Sequence, residues 1–160
     1  MSDFRSPFLR AFTMLEIMVV VTIIAILAAV AVPRFSGLSD DARSAAAVSA
    51  VGGVRASIAT FRTRRVISGG SPFPTLAELN ESGEVLSGEL PVNPYNGLAT
   101  VQEVSEADAD ARRVASDEAY GWCYFVDNDS VPARAVIYLN STDPTRVENA
   151  DGSVKGANEL

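Results

Sequence analysis

The sequence predicts an α+β fold in which one long N-terminal helix packs on a small antiparallel sheet. An apolar run covers residues 12–32, a helical amphipathic pattern continues to residue 65, and two alternating apolar segments follow at residues 120–126 and 134–140. Because a sheet with an apolar face must bury that face, the amphipathic half of the helix is its natural cover. We therefore expect a helix over residues 12–65 and one head domain over residues 66–160.

The apolar run is long enough to cross a membrane as a helix. At about 1.5 Å per residue, residues 12–32 span roughly 31 Å, close to the roughly 30 Å of a hydrocarbon core. Glu16 is the acidic residue of this run, and placing a charge in hydrocarbon costs on the order of a few kcal/mol. We therefore expect a partner for Glu16, with another copy of the segment as its source. The alternatives are that Glu16 extends to the nearby membrane surface and that the run is an ordinary single-pass anchor.

The pattern after the apolar run indicates that the helix continues. Pro33 has no amide hydrogen and predicts a kink in the helix. Gly52-Gly53 weakens its middle by about 1 kcal/mol per glycine, so two separate helices are the alternative. The segment Ser68-Gly-Gly-Ser-Pro72 predicts the helix end. The apolar face repeats every three or four residues, at Ala47, Val51, Val54, Ile58 and Phe61, and the opposite side carries Ser49, Arg55, Ser57 and Arg62.

Turn signals and short apolar segments alternate in the head. Thr75 and Glu78 have the spacing of a capping box at a short helix. A loop is predicted at residues 90–97, which are rich in Pro, Asn and Gly, and an exposed loop or short helix at the acidic residues 105–118. The two strands are joined by residues 127–132, and a weaker third strand is predicted at residues 98–104. Residues 141–160 show no periodicity, so we expect a loop or disorder there.

Composition and charge argue against several classes of function. The net charge is −7 and the chain has no histidine. An acidic chain without a basic patch predicts no nucleic-acid binding, and the absence of histidine removes Ser–His and Cys–His nucleophilic sites. We interpret the small cluster Arg62, Arg64 and Arg65 as a solvated or subunit-facing helix end. The acidic pairs lie in a polar segment without an apolar pocket, so we expect no enzyme; these are Asp108 with Asp110 and Asp117 with Glu118.

The strand connection offers a weak metal candidate. Asp127 and Asp129 resemble the start of a calcium loop, in which oxygen ligands alternate along the chain. The glycine and the closing glutamate of an EF-hand are missing at the required positions, and an Asx-rich hairpin turn is the alternative. We expect no other cofactor. Cys123 is the single cysteine, so no disulfide can form within the chain, and an apolar strand position is expected for it.

The N-terminal residues resemble a known family. The segment Ala11-Phe12-Thr-Met-Leu-Glu16-Ile-Met-Val-Val, followed by an aliphatic run that ends at Pro33, resembles the N-terminus of the type IV pilin and type II secretion pseudopilin superfamily. The resemblance implies that residues 1–11 are a leader, which a prepilin peptidase removes by cutting between Ala11 and Phe12. Phe12 then becomes the N-methylated terminus. The family usually has glycine where this chain has Ala11.

The resemblance also implies how the chain assembles and where it resides. The cut creates an amine at Phe12, and Glu16 of one subunit can meet the amine of the next, because buried unlike charges are tolerated when paired. Like subunits would polymerise on an inner-membrane assembly platform. The chain would cross the bacterial inner membrane once, with the head in the periplasm or outside the cell. A cytoplasmic N-terminus is also favoured by Arg5 and Arg10, which precede the apolar run.

The head indicates which branch of the superfamily is favoured. Its loop residues are similar in order and approximate spacing to the major pseudopilins of type II secretion: Phe73-Pro74-Thr75, Leu90-Pro91 and Asn93-Pro94-Tyr95. That resemblance implies calcium in the region of Asp127. It favours a secretion pseudopilus subunit, as does the lack of the disulfide that many pilins have. The alternatives are a type IV pilus subunit for adhesion, motility or DNA uptake, and a monomeric membrane-anchored binding domain.

Overall fold

The computed structural model describes residues 12–115 and 119–160. Within these residues the chain divides into two compact units between Leu38 and Ser39. The helices are α1 (Met14–Ser68), α2 (Leu76–Asn80) and α3 (Glu106–Asp110). The strands are β1 (Val101–Glu103), β2 (Trp122–Asp127), β3 (Arg134–Leu139), β4 (Pro144–Glu148) and β5 (Val154–Gly156), and a 3-10 turn follows at Ala157–Glu159.

The long helix α1 begins and ends with local capping contacts. Thr13 precedes it, and the Thr13 hydroxyl accepts a hydrogen bond from the backbone N–H of Glu16 at 3.2 Å. At the other end, Gly69 has a left-handed φ of 75°, and the Gly70 N–H donates to the carbonyl of Arg65 at 2.9 Å. Such a glycine cap satisfies carbonyls that the helix leaves open. The helix end predicted at the Gly-Gly pair is therefore confirmed, a few residues after residue 65.

One helix rather than two covers this part of the chain. Pro33 and the Gly52-Gly53 pair both lie inside α1, so the two-helix alternative is wrong. Glycine costs only about 1 kcal/mol in a helix interior, a penalty that packing of the flanking turns can offset. The kink expected at Pro33 stays a prediction.

The core of the second unit forms between the back half of α1 and the β1–β2–β3 sheet. The predicted apolar face of α1 is buried, and it packs with Trp122 and Tyr124 of β2 and with Ile137 and Leu139 of β3. The Trp122 indole N–H donates to the carbonyl of Pro91 at 2.8 Å, and the Tyr124 hydroxyl donates to that of Pro74 at 2.6 Å. The strands thereby position the two loops that precede them, and the α+β layout is confirmed.

The sheet is mixed rather than purely antiparallel. β2 and β3 pair antiparallel as predicted, with Trp122 opposite Leu139. β1 lies within the predicted weak third strand, but it pairs parallel to β2, with Val101 opposite Trp122. A parallel pair needs a crossover of about a dozen residues or more, and the segment between β1 and β2, which contains α3, is long enough to provide it. The prediction of an all-antiparallel sheet is therefore wrong.

The tail is ordered, so the prediction of a loop or disorder at residues 141–160 is wrong. β4 and β5 form an antiparallel hairpin, and its turn has Gly152 at a φ of 82°. Thr145 is buried, and the backbone N–H of Arg146 donates to the Ser44 hydroxyl of α1 at 2.8 Å. Apolar alternation could not reveal this hairpin, because its contacts with the core are largely polar. The Asp151-Gly152 pair was the available signal, since it is typical of hairpin turns.

Cys123 lies fully buried in β2, as predicted. Trp122, Cys123 and Tyr124 are all buried, so both faces of the strand are covered at this point. On the second face, the Tyr138 hydroxyl of β3 donates to the carbonyl of Arg113 at 2.8 Å. The segment that follows α3 therefore covers the sheet opposite α1.

Candidate functional site

The first unit presents a continuous exposed apolar surface. All side chains from Phe12 to Val30 are exposed, and no residue of the most apolar stretch of α1 is buried. α1 is the helix in the described part of the chain that is long and apolar enough to cross a membrane. Apolar patches of this size on soluble monomers mark surfaces that bind lipid or other proteins. The front of α1 is therefore a surface for a membrane, for other subunits, or for both.

Glu16 places a carboxylate on this apolar surface. Its backbone N–H is occupied by Thr13, but its side chain has no hydrogen bond or ion pair with any residue in the described ranges. Phe12 lies four residues before Glu16, ahead of the start of α1, and is 75% exposed. Ala11, the predicted residue before the cut, lies outside the described residues. The arrangement leaves the Glu16 carboxylate open to a cation supplied from outside the chain.

Sequence reasoning missed the role of Thr13 at this site. Thr13 and Glu16 have the spacing of a capping box, and the Thr13 hydroxyl makes one of the two hydrogen bonds of that motif. The spacing was the signal that could have identified it. The cap starts the helix immediately after Phe12, so Glu16 lies in its first turn.

The predicted calcium candidates form a hairpin turn. The Asp127 Oδ1 atom accepts hydrogen bonds from the backbone N–H groups of Asp129 at 2.9 Å and of Ser130 at 3.0 Å. These bonds hold the pKa of Asp127 below its usual range, and the bond from Ser130 has the larger effect. Within the described ranges, no group of three acidic, cysteine or histidine side chains could hold a metal ion. Residues 127–129 therefore form the Asx turn that the sequence offered as the alternative, and calcium binding at Asp127 and Asp129 stays a prediction.

The basic cluster at the end of α1 is held within the head. Arg65 forms an ion pair with Glu78, and Arg64 donates to the carbonyl of Glu84 at 3.0 Å. The Arg62 guanidinium lies over the Phe73 ring, 4.9 Å from its centroid. These three arginines therefore fasten the end of α1 to the loops that follow it. The interpretation of this helix end as solvated or subunit-facing did not include these contacts within the head.

The described acidic residues of segment 105–118 form ion pairs with arginines. Asp108 pairs with Arg113 at 3.3 Å, and Asp110 pairs with Arg134 of β3. Asp117 and Glu118 lie outside the described residues. The short helix predicted in this segment is α3, which begins after Ser105.

Comparison with known proteins places a family motif on the apolar segment. The prokaryotic N-terminal methylation motif matches residues 10–32, which include Phe12 and Glu16. No curated protein and no solved structure matches the chain. The motif supports the type IV pilin and pseudopilin superfamily, and with it a pilin-like precursor that a prepilin peptidase processes.

The motif also indicates general features of function, assembly and location that are typical of that superfamily. Its proteins are structural rather than enzymatic, and the motif implies polymerisation into filaments. Together with the apolar half of α1, it fits a single-pass protein anchored in the inner membrane.

Proposed function

We propose that this chain is a structural subunit of a type II secretion pseudopilus-like filament. A prepilin peptidase removes residues 1–11 by cutting between Ala11 and Phe12, and Phe12 is then N-methylated. Residues 12–32 cross the inner membrane with the N-terminus in the cytoplasm and the head in the periplasm or outside the cell. Subunits add to one another head to tail on an inner-membrane platform, through the front half of α1.

The observation that carries this proposal is the open Glu16 carboxylate on an exposed apolar helix. A buried carboxylate requires a charged partner, and the described residues provide none. The cleaved terminus of a neighbouring subunit would supply an amine at the same end of its own helix. Apolar packing of the helices would then provide most of the association energy, and the Glu16–amine pair would set the axial register.

Two features of the head favour a secretion pseudopilin over a type IV pilus subunit. The segments around Phe73 and Tyr95 are similar to those of major pseudopilins, and they occupy structured positions on the core, because Pro74 and Pro91 accept hydrogen bonds from Tyr124 and Trp122. The single cysteine, Cys123, is buried and cannot close a loop within the chain. A pilus subunit is the second candidate, because the same N-terminal motif serves both kinds of filament.

Processing can be tested by the mass of the product. Co-expression with a prepilin peptidase should shorten the chain by residues 1–11 and leave Phe12 first, whereas expression alone should give the full-length chain. An Ala11→Gly variant, which carries the residue usual in the family, should be cut at the same bond. A full-length product from both chains in the presence of an active peptidase would contradict the processing proposal.

Assembly can be tested by substitution of Glu16. Glu16→Val should insert into the membrane and be cut normally but form no filaments, because the charge that sets register is gone. Thr22→Val is the matched control, since it removes a polar group from the same apolar run and should leave assembly intact. Filaments of normal yield from Glu16→Val would refute the register role.

Complementation of a secretion-deficient strain, compared with a motility-deficient one, distinguishes the pseudopilus from the pilus.

A further inference from the structure

A cavity of about 260 Å³ lies in the head between the back half of α1 and β3, and three arginines line it. Arg55 and Arg62 come from α1, and Arg112 comes from the turn that follows α3. The remaining wall is mainly apolar and aromatic, with Ile58, Phe73, Tyr124 and Val136 among its residues. No acidic side chain is among the lining residues that the structure describes. The sequence predicts Arg55 and Arg62 on the polar face of α1 and Arg112 in the exposed acidic segment 105–118, and it does not predict that they converge.

Each arginine is held at the cavity by specific contacts, and those of Arg62 and Arg112 leave the charge uncompensated by any described carboxylate. Arg55 donates to the carbonyl of Ile137 at 3.1 Å and to a main-chain oxygen of Leu160, the last residue of the sequence, at 2.5 Å. Arg62 stacks on Phe73, and the Arg112 guanidinium lies over the Tyr138 ring, 5.3 Å from its centroid. Arg62 and Arg112 form no ion pair with a described acidic side chain. Arg113, the next residue along the chain, does pair with one, Asp108.

Arg112 carries two unfavourable features that a bound anion would offset. Its Nη1 atom is buried and has no hydrogen-bond partner among the described residues, and an unsatisfied buried donor is destabilising. Its φ of 50° is left-handed, a conformation that is strained for a residue other than glycine. The Asn158 side-chain amide holds this conformation by donating to the Arg112 carbonyl at 2.7 Å. Strain of this kind is often kept where it positions a functional side chain.

The cations also disfavour one another. Burial lowers the pKa of Arg55, and the charge of Arg112 lowers it further. Burial likewise lowers the pKa of Arg112, and Arg134 adds to that shift while Tyr138 opposes it. An anion in the cavity would oppose the lowering of both pKa values, because it would stabilise the charged guanidinium groups.

We propose that this cavity binds a carboxylate carried on a short apolar stem, with Arg62 and Arg112 as the main ligands and Arg55 beside them. The planar guanidinium fork matches a carboxylate in bidentate geometry. Phe73, Ile58 and Tyr124 would cover the stem. The volume is below the roughly 300–1,000 Å³ of pockets for drug-sized ligands, which suits a small group. The proposal is independent of the filament role, because none of these arginines takes part in the N-terminal motif.

The test is a calorimetric titration of the full chain in detergent micelles with glutarate, at constant ionic strength. We expect saturable binding that Arg112→Gln weakens roughly tenfold or more. Arg113→Gln removes the same charge one residue away from the cavity and should bind like the unmodified chain. Arg62→Gln, at an exposed helix position, should also weaken binding, and it keeps the test valid if Arg112→Gln folds poorly. No saturable binding, or equal binding by all four proteins, would overturn the proposal.

Two further arms identify the class and the source of the ligand. Inorganic phosphate in the same titration should bind more weakly than glutarate, and tighter binding of phosphate would overturn the carboxylate assignment. If the natural carboxylate is an acidic side chain of a second copy, glutarate should compete with it. Sedimentation velocity should then show that glutarate dissociates oligomers of the chain. If self-association is unchanged while glutarate binds, the ligand is a free carboxylate. Failure of glutarate binding would leave processing at Ala11 and assembly through Glu16 unaffected, so the two proposals can fail separately.

Discussion

The side-chain amide of Asn128 pairs with both polar backbone groups of Phe73. Its Oδ1 atom accepts from the Phe73 N–H at 2.9 Å, and its Nδ2 atom donates to the Phe73 carbonyl at 2.9 Å. These bonds fasten the segment that leads into α2 to the turn between β2 and β3. The turn that the sequence offered as a calcium candidate therefore connects two distant parts of the head.

Asn128→Asp should destabilise the head by about 1–3 kcal/mol, because it replaces the donor to the Phe73 carbonyl with a second acceptor. The measurement is chemical denaturation followed by the fluorescence of Trp122, the single tryptophan of the chain, which is fully buried. Asp129→Asn changes the neighbouring side chain without altering the pair, so it should stay within about 0.5 kcal/mol of the unmodified chain. Equal stability of the two variants would contradict the structural role of Asn128.

Calcium removal should leave the melting temperature of the head unchanged. The Asp127 Oδ1 atom already accepts two backbone N–H groups, and the described residues bring no third acidic side chain to it. A ligand that binds only the folded state stabilises it by RT ln(1 + [L]/Kd) and therefore raises the melting temperature. Thermal unfolding in excess calcium and in excess chelator should therefore coincide. A melting temperature that rises with calcium and falls with chelator would show that the turn binds the ion.

Gly121→Ala should be strongly destabilising, on the order of 3 kcal/mol. A Cβ at Gly121 would lie 1.9 Å from the carbonyl oxygen of Leu98, which is backbone and cannot move aside as a side chain would. Gly88→Ala is the control, because a Cβ there meets nothing within 4 Å. Its stability should stay within about 0.5 kcal/mol of that of the unmodified chain. The Trp122 fluorescence transition measures both, and a Gly121→Ala chain as stable as Gly88→Ala would contradict the close approach.

The stability of the head should fall in acid partly through Glu78. The pKa of Glu78 lies below its usual 4.5, chiefly because Glu78 accepts a hydrogen bond from the Thr75 backbone. The Thr75 side chain and the charge of Arg65 lower it further. Because the folded-state pKa is the lower one, Glu78 stabilises the head above about pH 4.5, and this contribution is lost as the pH falls through the folded-state value. Glu78→Gln should cost about 0.5–2 kcal/mol at pH 7 and lose less stability between pH 7 and pH 3.

Glu81→Gln is the matched control for this pH dependence. Glu81 lies three residues after Glu78 and takes no part in the capping box or the ion pair with Arg65. Its pH–stability curve should follow that of the unmodified chain. A Glu78→Gln curve parallel to that of the Glu81→Gln chain would show that Glu78 contributes nothing to acid unfolding.

Local signals predicted the helices of this protein well. The apolar face of α1, the Thr75–Glu78 capping box and the Gly-Gly helix end depend on contacts within a few residues, and each is present. The N-terminal motif is local too, because Phe12 lies only four residues before Glu16, which is in the first turn of α1. The Thr13 cap was missed although its spacing to Glu16 was visible in the sequence.

Pairing between distant segments was predicted less well. β1 pairs parallel to β2 because the segment containing α3 crosses between them, and no local pattern reports the direction of such a crossover. The β4–β5 hairpin rests on polar contacts such as the one between Arg146 and Ser44, which leave no apolar alternation to detect. The cavity arginines Arg55 and Arg112 are far apart in the chain, and each alone has the character of a surface residue.

The sequence by itself therefore determined the long helix, its membrane-compatible front half and the Glu16 motif, because each of these depends on residues that are close together in the chain. Only the tertiary structure decided the direction of β1, the order of the tail and the convergence of Arg55, Arg62 and Arg112 on one cavity. These features depend on which distant surfaces are buried together, and the free energy of that burial belongs to no single segment.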